Sequence, residues 1–470
     1  MRSSAATMRS TLSECRHWVT GSRVTGDAAF DGVSTDSRNA AAGSLFVALR
    51  GEHFDAHAFL ADIVLRGVAA VVVAQDTAPQ NLEGLGLPML MVPDTRVALG
   101  EIAGGWRRRF IVPVIGVTGS NGKTTVKEMI ASILVAGVGA GHSMATRGNL
   151  NNEVGVPLTL MRLVGSTRAA VVELGMNHPG EIARLAAMVQ PTVGLVNNAQ
   201  REHQEFMVSV EAVARENGAV IRALPDDGVA VFPADDPYTD LWRAIAAERG
   251  ARRVLTFGLS ATAGVRCTFV PGVFGSDLEV TAAGNRFTLR LAAAGEHNVQ
   301  NALAAIACTL AIGMPVAAIV RGLENFVPVA GRLQRKQAAN GALVIDDTYN
   351  ANPDSVRAAI DVLAGTPAPR VLVLGDMGEV GDDGRAFHEE IGAYASARGI
   401  DHVLTLGQLA AATSHAFGAH AYHFDNIAAL HEALDALAAP HAAVLVKGSR
   451  FMQMERVVAH LVGQPLRDSH

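Results

Sequence analysis

Short apolar runs separated by polar turns recur along the whole chain, each with the length of a strand. Among the first hundred residues SLFVAL, AAVVVA and PMLMVP read as strands, with one helical stretch near HAFLADIVLRG. A small α/β domain is predicted there. After the basic stretch WRRRF, the strand VPVIGVTG opens a longer segment in which AAVVEL, TVGLVN, GVAVFP and RVLTFG alternate with helical patterns. In EHNVQNALAAIACTLAIG, Val299, Ala302, Leu303, Ile306 and Leu310 share one helical stripe, and Gly313 is placed to stop the helix. From Leu343 the alternation starts afresh. ALVIDD, RVLVLGD, HVLTLG and AAVLVKG, separated by helical stretches, predict a Rossmann-like sheet. The expected fold is α/β in three domains, over residues 1–106, 107–330 and 331–470.

A length of 470 residues agrees with three domains of about 150 residues. The 49% hydrophobic content and formal charge of −6 fit a soluble, mildly acidic protein with no basic tail, so neither nucleic acid nor a membrane is an expected partner. Apolar runs such as Val68 to Ala74 fall far short of the roughly 18 residues of a membrane span. MRSSAATMRSTLSECRHW lacks the apolar stretch of a secretory signal. A cytoplasmic location is expected, with Met1 or Met8 as the start. Cys15, Cys267 and Cys308 are far apart and form no CxxC pair, which argues against a zinc site and a disulfide framework.

The stretch IGVTGSNGKTTVKE carries the clearest chemistry. A glycine-rich loop follows an apolar strand and precedes a helix, the setting in which backbone N–H groups and a helix N-terminus hold phosphate. Lys123 can neutralise β- and γ-phosphates, and Thr124 can offer its hydroxyl to Mg²⁺. Thr118, Gly119, Ser120, Asn121 and Gly122 complete the candidate loop. The strict GxxxxGK[ST] pattern fails, because Val117 stands where the first glycine belongs. By itself the loop suits a motor, a switch, a kinase or a ligase.

Other motifs narrow the choice. Glu173 ends the apolar strand of VVELGMNHPGEI, where α/β proteins place ligands, and a carboxylate there suits Mg²⁺. His203 falls just past the strand TVGLVNN. In TRGNLNNEVGVPLTL, the amides of Asn149, Asn151 and Asn152 can bind a polar substrate or build turns. VIDDTYNANPDS pairs aspartates at a strand end with an Asn-rich turn, and VLVKGSR offers Lys447 and Arg450 to an anion.

Taken together, TGSNGKTT, the ELG strand end, GEHNVQNALAA, GRL, DDTYNANPDS and VKGSR, in this order, resemble the Mur ligases, the ATP-dependent amide-forming enzymes of peptidoglycan synthesis. The resemblance runs across nearly the whole chain. GVSTDSRNAAAGSLFVALRGEHFDAHAF resembles the family's UDP-sugar domain, and TRGNLNNEVGVPLTL with DDTYNANPDS resembles its dipeptide-adding branch. The DNPR signature of the diaminopimelate-adding branch is absent.

The resemblance implies an N-terminal UDP-substrate domain, a central P-loop ATPase domain and a C-terminal Rossmann-like domain. It implies ATP and Mg²⁺ and the substrates UDP-N-acetylmuramoyl-tripeptide and D-alanyl-D-alanine; a monomer is expected. Lys123, Glu173 and His203 would be catalytic, with Thr124, Glu173 and His203 near metal. Asn298 and Asn301 would meet adenine, and Arg332 and Asp347 would reach the nucleotide from the C-terminal domain. Ser34, Asp36, Ser37, Arg38, Leu45 and Phe46 would line the UDP side, and Asn149, Asn151, Asn152 and Lys447 would meet substrate. One position departs: many relatives carry a carbamylated lysine where this chain has Asn217, so either Glu216 substitutes or His203, substrate and water hold the second metal. The rival from another class is a P-loop NTPase switch.

Overall fold

Three main sheets succeed one another along the chain in the computed structural model, which describes residues 7–51, 54–77, 79–202, 205–250 and 252–463. The first has five strands in the order Arg23–Val24, Met89–Val92, Ala70–Ala74, Leu45–Val47, Val33–Ser34, all parallel except the first pair. Every residue of Ala70–Ala74 is buried. A two-stranded antiparallel ribbon, Arg9–Thr11 with Ala29–Asp31, stands beside this sheet.

The second sheet has nine strands. Six run parallel in the order Arg253–Gly258, Val229–Pro233, Val193–Val196, Val114–Thr118, Ala169–Glu173, Ser143–Ala145. The strands Val114–Thr118 and Ala169–Glu173 are buried at every position, which is why they read as unbroken apolar runs rather than alternations. Register pairs Thr118 with Val196 and Glu173 with Val117. Three strand ends therefore finish side by side, and the loops that follow them meet at one edge.

The same sheet continues into Val265–Gly272, Gly275–Ala282 and Asn285–Leu291, an antiparallel meander absent from the elements expected above. Its inward positions alternate, as in Leu278, Val280 and Ala282, and its second turn has positive φ at Ala283 (50°) and Gly284 (78°). That is the geometry of a tight hairpin turn.

Helix Glu296–Ala311 ends just before Gly313, whose φ is +80°. It is buried on nearly all sides and not along one stripe alone: Leu310 is half-buried, whereas Asn298, Asn301, Ala304, Ala305, Ala307 and Cys308 are buried. Its alanines let it sit close against Val126, Met129, Ile130 and Ile133 of helix Lys123–Val138 in a common core. Each fully buried Leu or Ile there contributes about 1.5–3 kcal/mol.

The third sheet has six strands, in the order Gln334–Gln337, Leu343–Asp347, Ala443–Lys447, Arg370–Gly375, His402–Leu406, Ala421–Phe424, with only the first pair antiparallel. Register sets Asp347 directly beside Lys447. The three cysteines are buried free thiols. No helix among the described residues is long and apolar enough to cross a membrane.

Candidate active site

A cleft of about 1050 Å³ lies where the strand ends of the second sheet face those of the third. Ser120, Asn121 and Gly122 of the loop Gly119–Gly122 line it. Gly122 has φ +80°, and a Cβ there would lie 2.4 Å from Asn301 Oδ1 and 2.7 Å from Asn197 Nδ2. Gly119 has φ +135° and would meet Asn197 Cβ at 2.9 Å. Both conformations favour glycine, and the close neighbours exclude a side chain. Helix Lys123–Val138 begins at once after Gly122 and points its first N–H groups into the cleft.

Lys123 and Thr124 open that helix. Lys123 Nζ donates to Gly119 O (2.6 Å), Ser120 O (3.0 Å) and Glu202 Oε1 (2.8 Å). Thr124 Oγ1 donates to Glu173 Oε1 (3.0 Å), which also accepts from Asn151 Nδ2 (2.9 Å). Glu173 Oε2 is buried with no hydrogen-bond partner. A buried carboxylate oxygen left unpaired is costly, and it aims an unspent negative charge beside the phosphate loop.

The third sheet reaches the same place. Arg332 Nη2 donates to Thr124 Oγ1 at 3.3 Å, its guanidinium lies 4.2 Å from the Tyr349 ring centre, and its buried Nε has no partner. Asp347 Oδ1 accepts from Leu333 N (3.1 Å), and Oδ2 accepts from Lys447 Nζ (2.6 Å). Lys447 also donates to Asn350 O (2.8 Å) and is almost fully buried. It is therefore a partner of Asp347 before it is a free cation for substrate. Packed against the loop, Asn301 Nδ2 donates to Asn298 Oδ1 (3.1 Å), Asn197 Nδ2 donates to Asn301 Oδ1 (2.9 Å), and Asn298 Nδ2 donates to Ala294 O (2.7 Å).

Of the expected residues, Ser120, Asn121, Gly122, Lys123, Thr124, Asn151, Asn152, Glu173, Asn298, Asn301, Arg332, Asp347 and Lys447 line this cleft. Thr118 does not: its hydroxyl donates to Asn217 Oδ1 at 2.6 Å in the core. Gly119 contributes through its carbonyl on Lys123. Asn149 is exposed outside the cleft, and Arg450 is held by Glu455 at 2.8 Å. His203 lies outside the described residues.

Ser34, at the end of strand Val33–Ser34, and Asp36, Ser37 and Arg38 in the turn that follows are absent from the cleft wall, and Arg38 Nε and Nη2 each lie 3.0 Å from the Asp36 carboxylate. Leu45 and Phe46 are fully buried in strand Leu45–Val47 and paired on both sides, so neither presents a surface to a ligand. Arg96 alone brings the first 106 residues to the cleft wall among the described residues.

Asn217 is fully buried and absent from the cleft wall. Glu216 is no substitute for a metal-binding group there: its Oε1 accepts from Ile182 N (2.9 Å) at the start of helix Glu181–Val189. That caps a helix.

The segment Asn197–Glu202 was missed by sequence reasoning. Asn198 Oδ1 accepts from Asn121 N (2.8 Å), Gln200 Oε1 accepts from Asn121 Nδ2 (2.6 Å), and Gln200 N donates to Ser120 Oγ (2.9 Å). Asn352, the N-cap of helix Pro353–Ala364, donates from Nδ2 to Asn121 Oδ1 at 2.9 Å. Arg201 Nη2 and Nη1 reach Asp354 Oδ1 and Glu390 Oε2, each at 2.6 Å. Glu390, then Asp354, hold the Arg201 guanidinium well above its ordinary range, and Arg201 in turn lowers Glu390. The only advance signal was position: five polar residues immediately after a buried strand end.

Residues 117–309 match the family model of the Mur ligase middle domain, and residues 331–450 match that of the Mur ligase glutamate ligase domain. The UDP-N-acetylmuramoyl-tripeptide–D-alanyl-D-alanine ligase of Escherichia coli is 40% identical over 96% of this chain and 98% of its own. The Haemophilus influenzae protein of the same name is 39% identical over 91% and 93%. Among solved structures, MurF from Acinetobacter baumannii superposes with a TM-score of 0.89 at 34% identity, over 98% of this chain and 100% of that one. MurF from Thermotoga maritima in complex with ADP gives a TM-score of 0.81 at 26% identity, over 92% and 97%. With its sheets, its phosphate loop and its matched domains all in agreement, the chain belongs to the Mur ligase family.

Proposed function

We propose that this protein uses ATP to join D-alanyl-D-alanine to the terminal carboxylate of UDP-N-acetylmuramoyl-tripeptide, an amide-forming step of peptidoglycan synthesis. The carrying observation is the grouping of Lys123, Thr124 and Glu173 at one sheet edge with Arg332 reaching them from the third sheet. Relatives named for this reaction align along almost the full chain. The domains are assigned as 1–106 for the UDP-sugar substrate, 107–330 for ATP and 331–470 for closure over the nucleotide. The protein acts as a monomer in the cytoplasm.

A carboxylate is a poor electrophile, and phosphorylation supplies a leaving group. One oxygen of the tripeptide carboxylate attacks the γ-phosphorus of ATP, the bond to the β-phosphate bridging oxygen breaks, and ADP leaves. The amine of D-alanyl-D-alanine attacks the acyl phosphate carbon, loses a proton, and the tetrahedral centre expels phosphate. Two anions must approach in the first step. The Lys123 ammonium and the Arg332 guanidinium lower that barrier by placing positive charge where negative charge gathers. The residues present also fit Mg²⁺: Glu173 Oε2 is an unpaired buried carboxylate oxygen next to the Thr124 hydroxyl. Glu173 and Thr124 would hold the ion, with His203 assigned to the same role, and Mg²⁺ would supply charge neutralisation of the phosphates. Asn298 and Asn301 are assigned to adenine, and Asn151 and Asn152 to the peptide.

The test is phosphate release by the purified protein with ATP, Mg²⁺ and the UDP-tripeptide, with and without D-alanyl-D-alanine. Release that requires the dipeptide supports the ligase; equal release without either substrate would return the chain to the NTPase-switch reading.

A further inference from the structure

Lys123 is the cation the mechanism assigns to ATP, yet all three of its N–H donors are already spent. Two go to the carbonyls of Gly119 and Ser120, which are fixed parts of the loop. The third goes to Glu202 Oε1 at 2.8 Å, and both side chains of this pair are largely buried, at 14% and 10% exposure. Of the three, only the Glu202 contact is made to a side chain.

We infer that Glu202 is an internal stand-in for phosphate, holding Lys123 in the cleft until the β- and γ-phosphates of the nucleotide displace its carboxylate. The inference rests on the nucleotide reading of the cleft given above. Its physical basis is charge. An unpaired ammonium in this cleft would face a desolvation cost, and Glu202 removes it. A polyphosphate arriving at the same ammonium cannot share it comfortably with a carboxylate, because like charges in a partly dehydrated site repel strongly.

The neighbouring residue explains why Glu202 is held in place. Arg201 is gripped from the third sheet's domain by both main chain and side chain: its N donates to Asp354 Oδ2 at 3.0 Å, while its guanidinium bonds Asp354 and Glu390. Farther along, Glu205 N donates to Glu379 O at 3.3 Å. The C-terminal domain thus fixes the chain on both sides of Glu202, and Glu202 acts as a positioning residue for Lys123.

The test is calorimetric binding of ADP and of AMP to the full-length protein and to Glu202→Gln, with thermal melting to verify that the variant is folded. AMP lacks the phosphates that Lys123 would contact, so it reports any general effect on the cleft. We expect ADP affinity to rise roughly tenfold in Glu202→Gln while AMP affinity stays the same, with Glu202→Ala moving in the same direction. Unchanged or weaker ADP binding would overturn the stand-in, and so would an equal gain for ADP and AMP. Failure of the wild-type protein to bind ADP at all would instead remove the nucleotide reading itself, and the inference with it.

Discussion

Arg201 and Asp354, 153 positions apart in sequence, meet at 2.6 Å across the boundary between the second and third sheets. With Glu390 on its other side, Arg201 ties the C-terminal domain down beside the phosphate loop. Replacing it by Ala leaves two carboxylates facing a gap. The pair is about one-quarter exposed, so the docking should lose about 1–3 kcal/mol, less than a fully buried pair would. Small-angle scattering with ADP and UDP-tripeptide should then show a larger radius of gyration for Arg201→Ala than for wild type. Superimposable profiles would mean that this contact does not hold the domains together.

The same contact sets a pH dependence. Arg201 holds Glu390 below its ordinary value of 4.5, with Arg357 assisting. A carboxylate whose value is lower in the folded protein stabilises above its unfolded value, and that stabilisation disappears as pH falls through the folded one. Glu390→Gln should therefore melt below wild type at neutral pH, and the gap should close as pH drops below 4.5. A gap that widens on acidification would reverse the sign and refute the assignment.

Glu173 is the residue we propose as a ligand of Mg²⁺. Glu173→Gln keeps the hydrogen bonds of Thr124 and Asn151 but removes the charge. Turnover should fall by about 100-fold or more. Chelating Mg²⁺ should weaken ADP binding in wild type and leave Glu173→Gln nearly unaffected, which calorimetry with and without EDTA would measure.

Gly122 offers a backbone test. Its φ of +80° and the 2.4 Å approach to Asn301 Oδ1 leave no room for a methyl group. Gly122→Ala should cost about 1–3 kcal/mol in a thermal or urea melt and weaken ADP binding. A variant as stable as wild type would show that the loop relaxes freely.

The Lys447–Asp347 pair predicts non-additivity. Lys447→Met strands a buried carboxylate and should cost about 3–5 kcal/mol. Adding Asp347→Asn should recover part of that loss, because the new side chain still accepts from Leu333 N through Oδ1 and carries no charge. Urea melts of the two variants compare them directly.

Much of the site was legible because parallel strands end at a common edge. Glu173 follows from that rule, since an apolar run closing on a polar residue marks a strand end without knowledge of the pairing, and Thr124 follows from the glycine-rich loop that opens a helix. The third sheet was legible for the same reason. Contacts made by domain docking were not: Asn121 and Asn352 are 231 positions apart, and nothing local links two turn-forming amides. Asn217 and Glu216 show a second limit. The family resemblance puts both near a metal, but helix Val210–Asn217 turns one into the core and the other onto a helix end. The meander over 265–291 carries a weaker signal, the alternation of Leu278, Val280 and Ala282, beside the stronger helical pattern that follows.

Phosphorylation of a carboxylate in this cleft is the step on which the proposed reaction depends. It is tested most directly by labelling both terminal carboxylate oxygens of the UDP-tripeptide with ¹⁸O and analysing the products by mass spectrometry. Attack of that carboxylate on ATP carries one ¹⁸O into the released phosphate and leaves the other in the new amide. Phosphate free of label, formed alongside the dipeptide-extended product, would contradict the acyl phosphate route.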